Sequence, residues 1–138
     1  MVTGIAVVSV PVTDVDRAKR FYIEVLGLAE IADTAISEGM RWVQLGPEDC
    51  GASITLTTWF PTMIAGSLRG LVLRVGDVAQ AAERLSAKSI PFPNGIERAP
   101  WGRFLQIEDP DGNGLILQEP AVPNPTTINF PISSKAAA

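Results

Sequence analysis

Histidine is absent from this 138-residue chain. Imidazole is the usual general base and the commonest transition-metal ligand. Its absence removes Ser-His-Asp and Cys-His nucleophilic catalysis and nearly every zinc or iron site. A metal would have to bind through carboxylates and carbonyls, in the manner of magnesium or calcium. The single cysteine, Cys50, lies in Glu48-Asp49-Cys50-Gly51, where adjacent carboxylates disfavour the thiolate that reacts. Candidate acids or bases are then Asp33, Glu38, Glu108 and Glu119, with Arg74 as an electrostatic stabiliser or an anion partner. None is placed with assurance at the floor of a cavity, so no catalytic residue is assigned.

Binding chemistry has more to work with. Trp42, Trp59, Phe60, Trp101 and Phe104 offer large flat surfaces, and Trp59-Phe60 and Trp101 stand in loops or at loop–strand junctions. Trp42 reads equally as plain core, and Trp59-Phe60 as interface packing. Arg74 reads more readily as a surface ion pair with Glu108 or Glu119.

The elements that must position these groups follow from periodicity. Residues 5–12 (IAVVSVPV) are β-branched and read as a buried strand. Thr13-Asp14 supplies a helix N-cap, and Ala18, Tyr22, Val25 and Leu26 share one helical face, which puts Tyr22 in the core. Gly27 closes the helix. Strands are expected at 28–36, 40–45 and 52–58, with Ser53, Thr55 and Thr57 facing away from Ile54 and Leu56. The pattern then restarts. Residues 70–75 form a strand, Asp77 caps a helix in a capping-box arrangement with Gln80, and strands are expected at 90–92, 103–108 and 114–118. The turn Asp109-Pro110-Asp111-Gly112-Asn113 suits a tight hairpin; calcium binding there is a remote alternative.

Val75, Asp77, Val78 and Ala81 repeat Val12, Asp14, Val15 and Ala18 at an offset of 63 residues. Two copies of strand–helix–three strands make a pseudo-symmetric domain over 1–120, with module one at 4–60 and module two at 68–120. Residues 121–138 form a proline-rich tail without periodicity, either an arm across a surface or disordered. Apolar residues make up 46% of the chain, enough for a core, and no apolar stretch is long enough to span a bilayer. A net charge of −4 argues against nucleic acid. With no leader-like N-terminus and one cysteine, a cytoplasmic location is the expectation.

Two βαβββ modules carrying VVSVPVTDVDRAKRFYIEVLGL (7–28), GLVLRVGDVAQAAERLSAKSI (70–90) and FLQIEDPDGNGLILQEP (104–120) resemble the vicinal oxygen chelate superfamily. That superfamily includes glyoxalase I, extradiol dioxygenases and the fosfomycin- and bleomycin-resistance proteins. The resemblance covers residues 4–120 and implies an α+β fold, with the two modules forming a cup-shaped mixed β-sheet around a ligand cavity, commonly in a homodimer. The family's enzymes hold a divalent metal at strand positions occupied here by Val7, Gly70 and Ile116, with a fourth near Thr55. Three of these carry no ligand group. The resemblance therefore points to the metal-free branch, with no cofactor, whose members resemble drug-sequestering resistance proteins.

If Val7 faces the cup, alternation brings Ile5, Ser9 and Pro11 to the same face, and in the second module Gly70, Val72, Arg74, Gly114, Ile116 and Gln118. The expected ligand contacts are Val7, Ser9, Trp42, Thr55, Trp59, Phe60, Val72, Arg74, Trp101, Phe104 and Ile116. The favoured reading is a protein that sequesters a hydrophobic or aromatic small molecule such as an antibiotic. The alternative is a metal-independent isomerase, lyase or cyclase, or a degenerate glyoxalase or dioxygenase, using the same cup. It requires an acid or base of shifted pKa inside the cavity.

Overall fold

A computed structural model describes residues 1–48 and 51–121. Cys50 and the tail beyond residue 121 lie outside the described residues. The chain divides into two compact units: Met1–Arg69 with Glu108–Gly114, and Gly70–Ile107 with Leu115–Ala138.

In unit one the strands are β1 (Val7–Pro11), β2 (Ala29–Ser37), β3 (Met40–Gly46) and β4 (Ser53–Thr57), ordered β1-β4-β3-β2. β1 runs parallel to β4, and the remaining pairs are antiparallel. Helix α1 (Val15–Arg20) connects β1 to β2 and continues into a π-helical turn, Phe21–Val25. The Asp14 carboxylate caps α1 by accepting from the Arg17 amide at 3.1 Å. Gly27 ends the segment at φ 77°, in the left-handed region where a Cβ is penalised. The π turn was not legible in the periodicity. It arises where the Leu26 amide reaches back five residues to the Phe21 carbonyl.

Unit two repeats the plan. Its strands are β5 (Leu71–Arg74), β6 (Glu97–Ala99), β7 (Gly102–Glu108) and β8 (Gly114–Pro120), ordered β5-β8-β7-β6, with β5 parallel to β8. Helix α2 (Val78–Ala87) follows β5. Asp77 accepts from the Ala79 and Gln80 amides, but among the described residues no return bond from the Gln80 side chain completes a capping box. The expected strand at 90–92 is not formed; the fourth strand lies at Glu97–Ala99 instead. Pro91 and Pro93 flank Phe92 and have no amide hydrogen to give a ladder, whereas Glu97–Ala99 can pair with Gly102–Phe104.

The helix-facing side of each sheet is the core. Val10, Val12, Val43, Leu45, Ile54 and Leu56 are buried in unit one, and Leu85, Leu105, Ile107, Leu115 and Leu117 in unit two. The alternation read from the sequence therefore holds in both.

Unit one also contains a buried polar knot. Asp109 accepts four hydrogen bonds: from the Tyr22 hydroxyl at 2.8 Å, the Asn113 side-chain amide at 2.8 Å, and the Asp111 and Asn113 backbone amides at 2.9 Å each. Asn113 also donates to the Pro11 carbonyl at 2.9 Å and accepts from the Leu68 amide at 3.1 Å. The hairpin turn is thus tied to the end of β1 at Pro11 and to the chain at Leu68. Burial, then the neighbouring Asp109 charge, push the Tyr22 phenol far above its ordinary value of 10.0. The unfolded chain ionises this phenol near pH 10 while the folded chain does not. The contribution to stability is therefore intact below pH 10 and is lost as pH rises above it. Tyr22 is the only tyrosine. Absorbance at 295 nm should accordingly show no tyrosinate in folded protein at pH 11, and a full signal once urea is added. A normal titration midpoint near 10 in the folded protein would contradict the buried hydrogen bond.

Candidate functional site

On the face of the unit-two sheet away from α2, β5 and β8 place side chains in register. Val72 sits opposite Ile116, and two residues along, Arg74 sits opposite Gln118. Phe104 of β7, Trp101 in the turn before it and Pro120 at the end of β8 complete a concavity of about 470 Å³. That volume falls within the range of small-molecule sites, and apolar walls with a few polar groups are their usual make-up. Val72 is 48% exposed, an apolar side chain left facing open space.

Five of the expected contact residues, Val72, Arg74, Trp101, Phe104 and Ile116, thus meet in one concavity. Gln118, expected on that face, joins them, and Pro120 was not anticipated. The alternative for Arg74, a surface pair with Glu108 or Glu119, is not formed: both Glu119 oxygens accept from Arg103 at 2.9 Å and one also accepts from the Val78 amide at 3.0 Å, and no ion pair joins Arg74 to the exposed Glu108.

The other expected contacts, Val7, Ser9, Trp42, Thr55, Trp59 and Phe60, belong to unit one and do not line this concavity. Ser9 and Thr55 are register partners with hydroxyls 3.3 Å apart. Trp42 donates its indole N–H to Gln44 at 3.2 Å, and Gln44 donates to Ser53 at 2.8 Å. These groups form a self-satisfied polar lattice on the sheet face away from the unit-one core. Val7 is half-buried beside Ser53. Trp59 and Phe60 pack on each other with ring centroids 5.7 Å apart, and Phe60 stays exposed.

Two candidate bases are committed to structural pairs. Asp33 is gripped by Arg41 through two hydrogen bonds of 2.9 and 2.8 Å and by Lys19 at 2.7 Å. Arg41, then Lys19, hold its carboxyl well below the usual carboxylate range. Arg103, then the Val78 amide, shift the Glu119 carboxyl downward as well. Neither is poised to take a proton near neutral pH. Glu38 and Glu108 are solvent-exposed. The strand positions where the family's enzymes hold metal do not fit a divalent ion. Val7 and Ile116 end in hydrocarbon, Gly70 has no side chain, and the Thr55 hydroxyl is paired with Ser9. Among the described residues no three His, Cys, Asp or Glu side chains converge as a metal-holding group.

The comparisons agree with this architecture. An antibiotic binding protein, TnmS3 from Streptomyces sp. CB03234, is 40% identical with a TM-score of 0.82, over 87% of this chain and 98% of its own. A superfamily member from Sphaerobacter thermophilus is 26% identical with a TM-score of 0.79, over 86% and 98%. The uncharacterised protein YetH of Bacillus subtilis is 29% identical over 122 residues, 86% of this chain and all of its own. The family profile matches residues 4–117, and on that match, with the twice-repeated β-α-β-β-β order, the chain belongs to the Glyoxalase/Bleomycin resistance protein/Dioxygenase superfamily.

Proposed function

We propose that this protein binds and sequesters a flat, largely apolar small molecule of the antibiotic class, without a metal and without chemical turnover. The unit-two concavity carries the reading: Trp101, Phe104, Ile116 and Val72 offer an aromatic and aliphatic bed, and among the described residues no acid or base lies in its lining. Similarity to TnmS3, an antibiotic binding protein, supports it. Covering the bed exchanges water for hydrocarbon at roughly 25 cal/mol per Å², and a planar molecule loses little rotor entropy on seating. In this reading the protein works in the cytoplasm as a homodimer, a state favoured by four edge strands, β1, β2, β5 and β6, and by the exposed Ile31 and Ile36 on β2.

The test is tryptophan-fluorescence titration with acridone, a neutral planar probe. Quenching should saturate, be indifferent to EDTA, and return the probe chemically unchanged. Trp101→Ala should weaken binding by about 1–3 kcal/mol. Light scattering on the same samples should give twice the chain mass. No saturable quenching, or affinity untouched by Trp101→Ala, would refute the site, and conversion of the probe would refute sequestration.

A further inference from the structure

The concavity is not uniformly apolar. Its Val72–Ile116 row is hydrocarbon, and the next row along the same two strands, Arg74–Gln118, is polar. Gln118 is only 8% exposed, and its side-chain amide, which makes no hydrogen bond with any described residue, meets solvent in the concavity rather than being sealed off from it. A primary amide brings two donors and an acceptor, and a ligand that covers them must replace the water they bind or leave them dry at a cost. Arg74, directly opposite, has neither a hydrogen bond nor an ion pair with a described residue, and the neighbouring Glu119 is occupied by Arg103. Among the described residues no carboxylate lines the concavity, so in a chain of net charge −4 their lining carries a single positive charge.

We infer that the ligand is a planar aromatic anion, an aryl carboxylate or acidic phenolate, whose charged oxygen is held by Arg74 and Gln118 while its ring lies against Trp101 and Phe104. This rests on the binding reading above and narrows it to a ligand class. A guanidinium fork with an adjacent amide N–H matches the paired lone-pair directions of a carboxylate. A neutral ring covering the same bed would strip water from the guanidinium and return nothing to its donors. An anion without a ring would leave Trp101, Phe104 and Val72 wet.

The experiment compares 2-naphthoate with 2-naphthamide, its neutral counterpart of nearly the same shape, by calorimetry at pH 7.5. Naphthoate should bind about tenfold more tightly. Arg74→Gln should bring it down to the affinity of the amide, and Arg74→Lys, which keeps the charge but not the fork, should retain part of the preference. Trp101→Ala should weaken both probes by the same factor. Equal affinity of the two probes, or a preference for naphthoate that survives Arg74→Gln, overturns the inference while acridone binding leaves the broader reading standing. Failure of acridone and both naphthyl probes overturns the two together.

Discussion

Replacing Asp109 with alanine is expected to lower the unfolding free energy by about 3–5 kcal/mol, although the residue lies in a surface turn by every sequence criterion. One carboxylate satisfies four donors, and Tyr22 and Asn113 are both fully buried. Removing it leaves a phenol, one amide hydrogen and two backbone amides with no acceptor. Each unsatisfied buried donor costs about 1–3 kcal/mol, tempered by whatever water enters the space. Tyr22→Phe removes only one donor and should cost about 1–2 kcal/mol. Asp109→Asn keeps an acceptor and should fall between them. Because these residues share one network, Tyr22→Phe added to Asp109→Ala should cost much less than the sum of the two. Urea unfolding of the wild type and the four variants checks the series. A loss below about 1 kcal/mol for Asp109→Ala would mean that solvent can replace the carboxylate and that the knot does not hold the turn.

This knot shows what the sequence conceals. Asp109-Pro110-Asp111-Gly112-Asn113 announces a hairpin because turn chemistry is local, and Gly112 does adopt a positive φ of 95°. That Asp109 also reaches Tyr22, 87 residues away, has no local signature. The available hint was Tyr22 itself: a phenol on the core face of a helix must find a partner. β6 was misplaced because the apolar run Ile90–Phe92 outweighed the prolines that deny it a ladder. Strand alternation, by contrast, is a period of two that tertiary context cannot alter without flipping every side chain. It therefore put Val72, Arg74, Ile116 and Gln118 on one face from the sequence alone. The same rule grouped Ser9, Thr55 and Thr57 but could not reveal that the Ser9 and Thr55 hydroxyls turn to each other. Hydroxyl pairing depends on register across strands, which is set by non-local contacts. Trp101 comes to the concavity through a turn, where alternation has nothing to say, whereas Pro120 continues the Ile116–Gln118 face because β8 runs two residues beyond the expected end at 118.

Their position depends on Gly102, and Gly102→Ala is expected to damage the site without altering any side chain that lines it. Gly102 is buried with φ 140°, a conformation L-residues rarely adopt. A Cβ there would overlap the Glu119 carbonyl oxygen and come within 3.0 Å of the Ala121 amide nitrogen. Both obstacles are backbone, so no rotamer change relieves the clash, and the end of β8 must move away from the start of β7. That movement separates Trp101 from Pro120, strains the 3.0 Å bond from the Ala121 amide to the Trp101 carbonyl, and pulls at the Arg103–Glu119 pair on the opposite face. Backbone strain alone amounts to about 1–3 kcal/mol, and the overlap adds to it, so a loss of about 3 kcal/mol or more is expected in urea. Gly112→Ala separates the two contributions: Gly112 also has a positive φ, but its Cβ would meet nothing within 4 Å. It should cost only the strain, about 1–2 kcal/mol, and leave acridone affinity as it was. Gly102→Ala protein that remains folded at low temperature should bind acridone at least as poorly as Trp101→Ala. Wild-type affinity in folded Gly102→Ala protein would show that the turn can yield without moving Trp101, and that the concavity is not set by the close approach of β7 and β8.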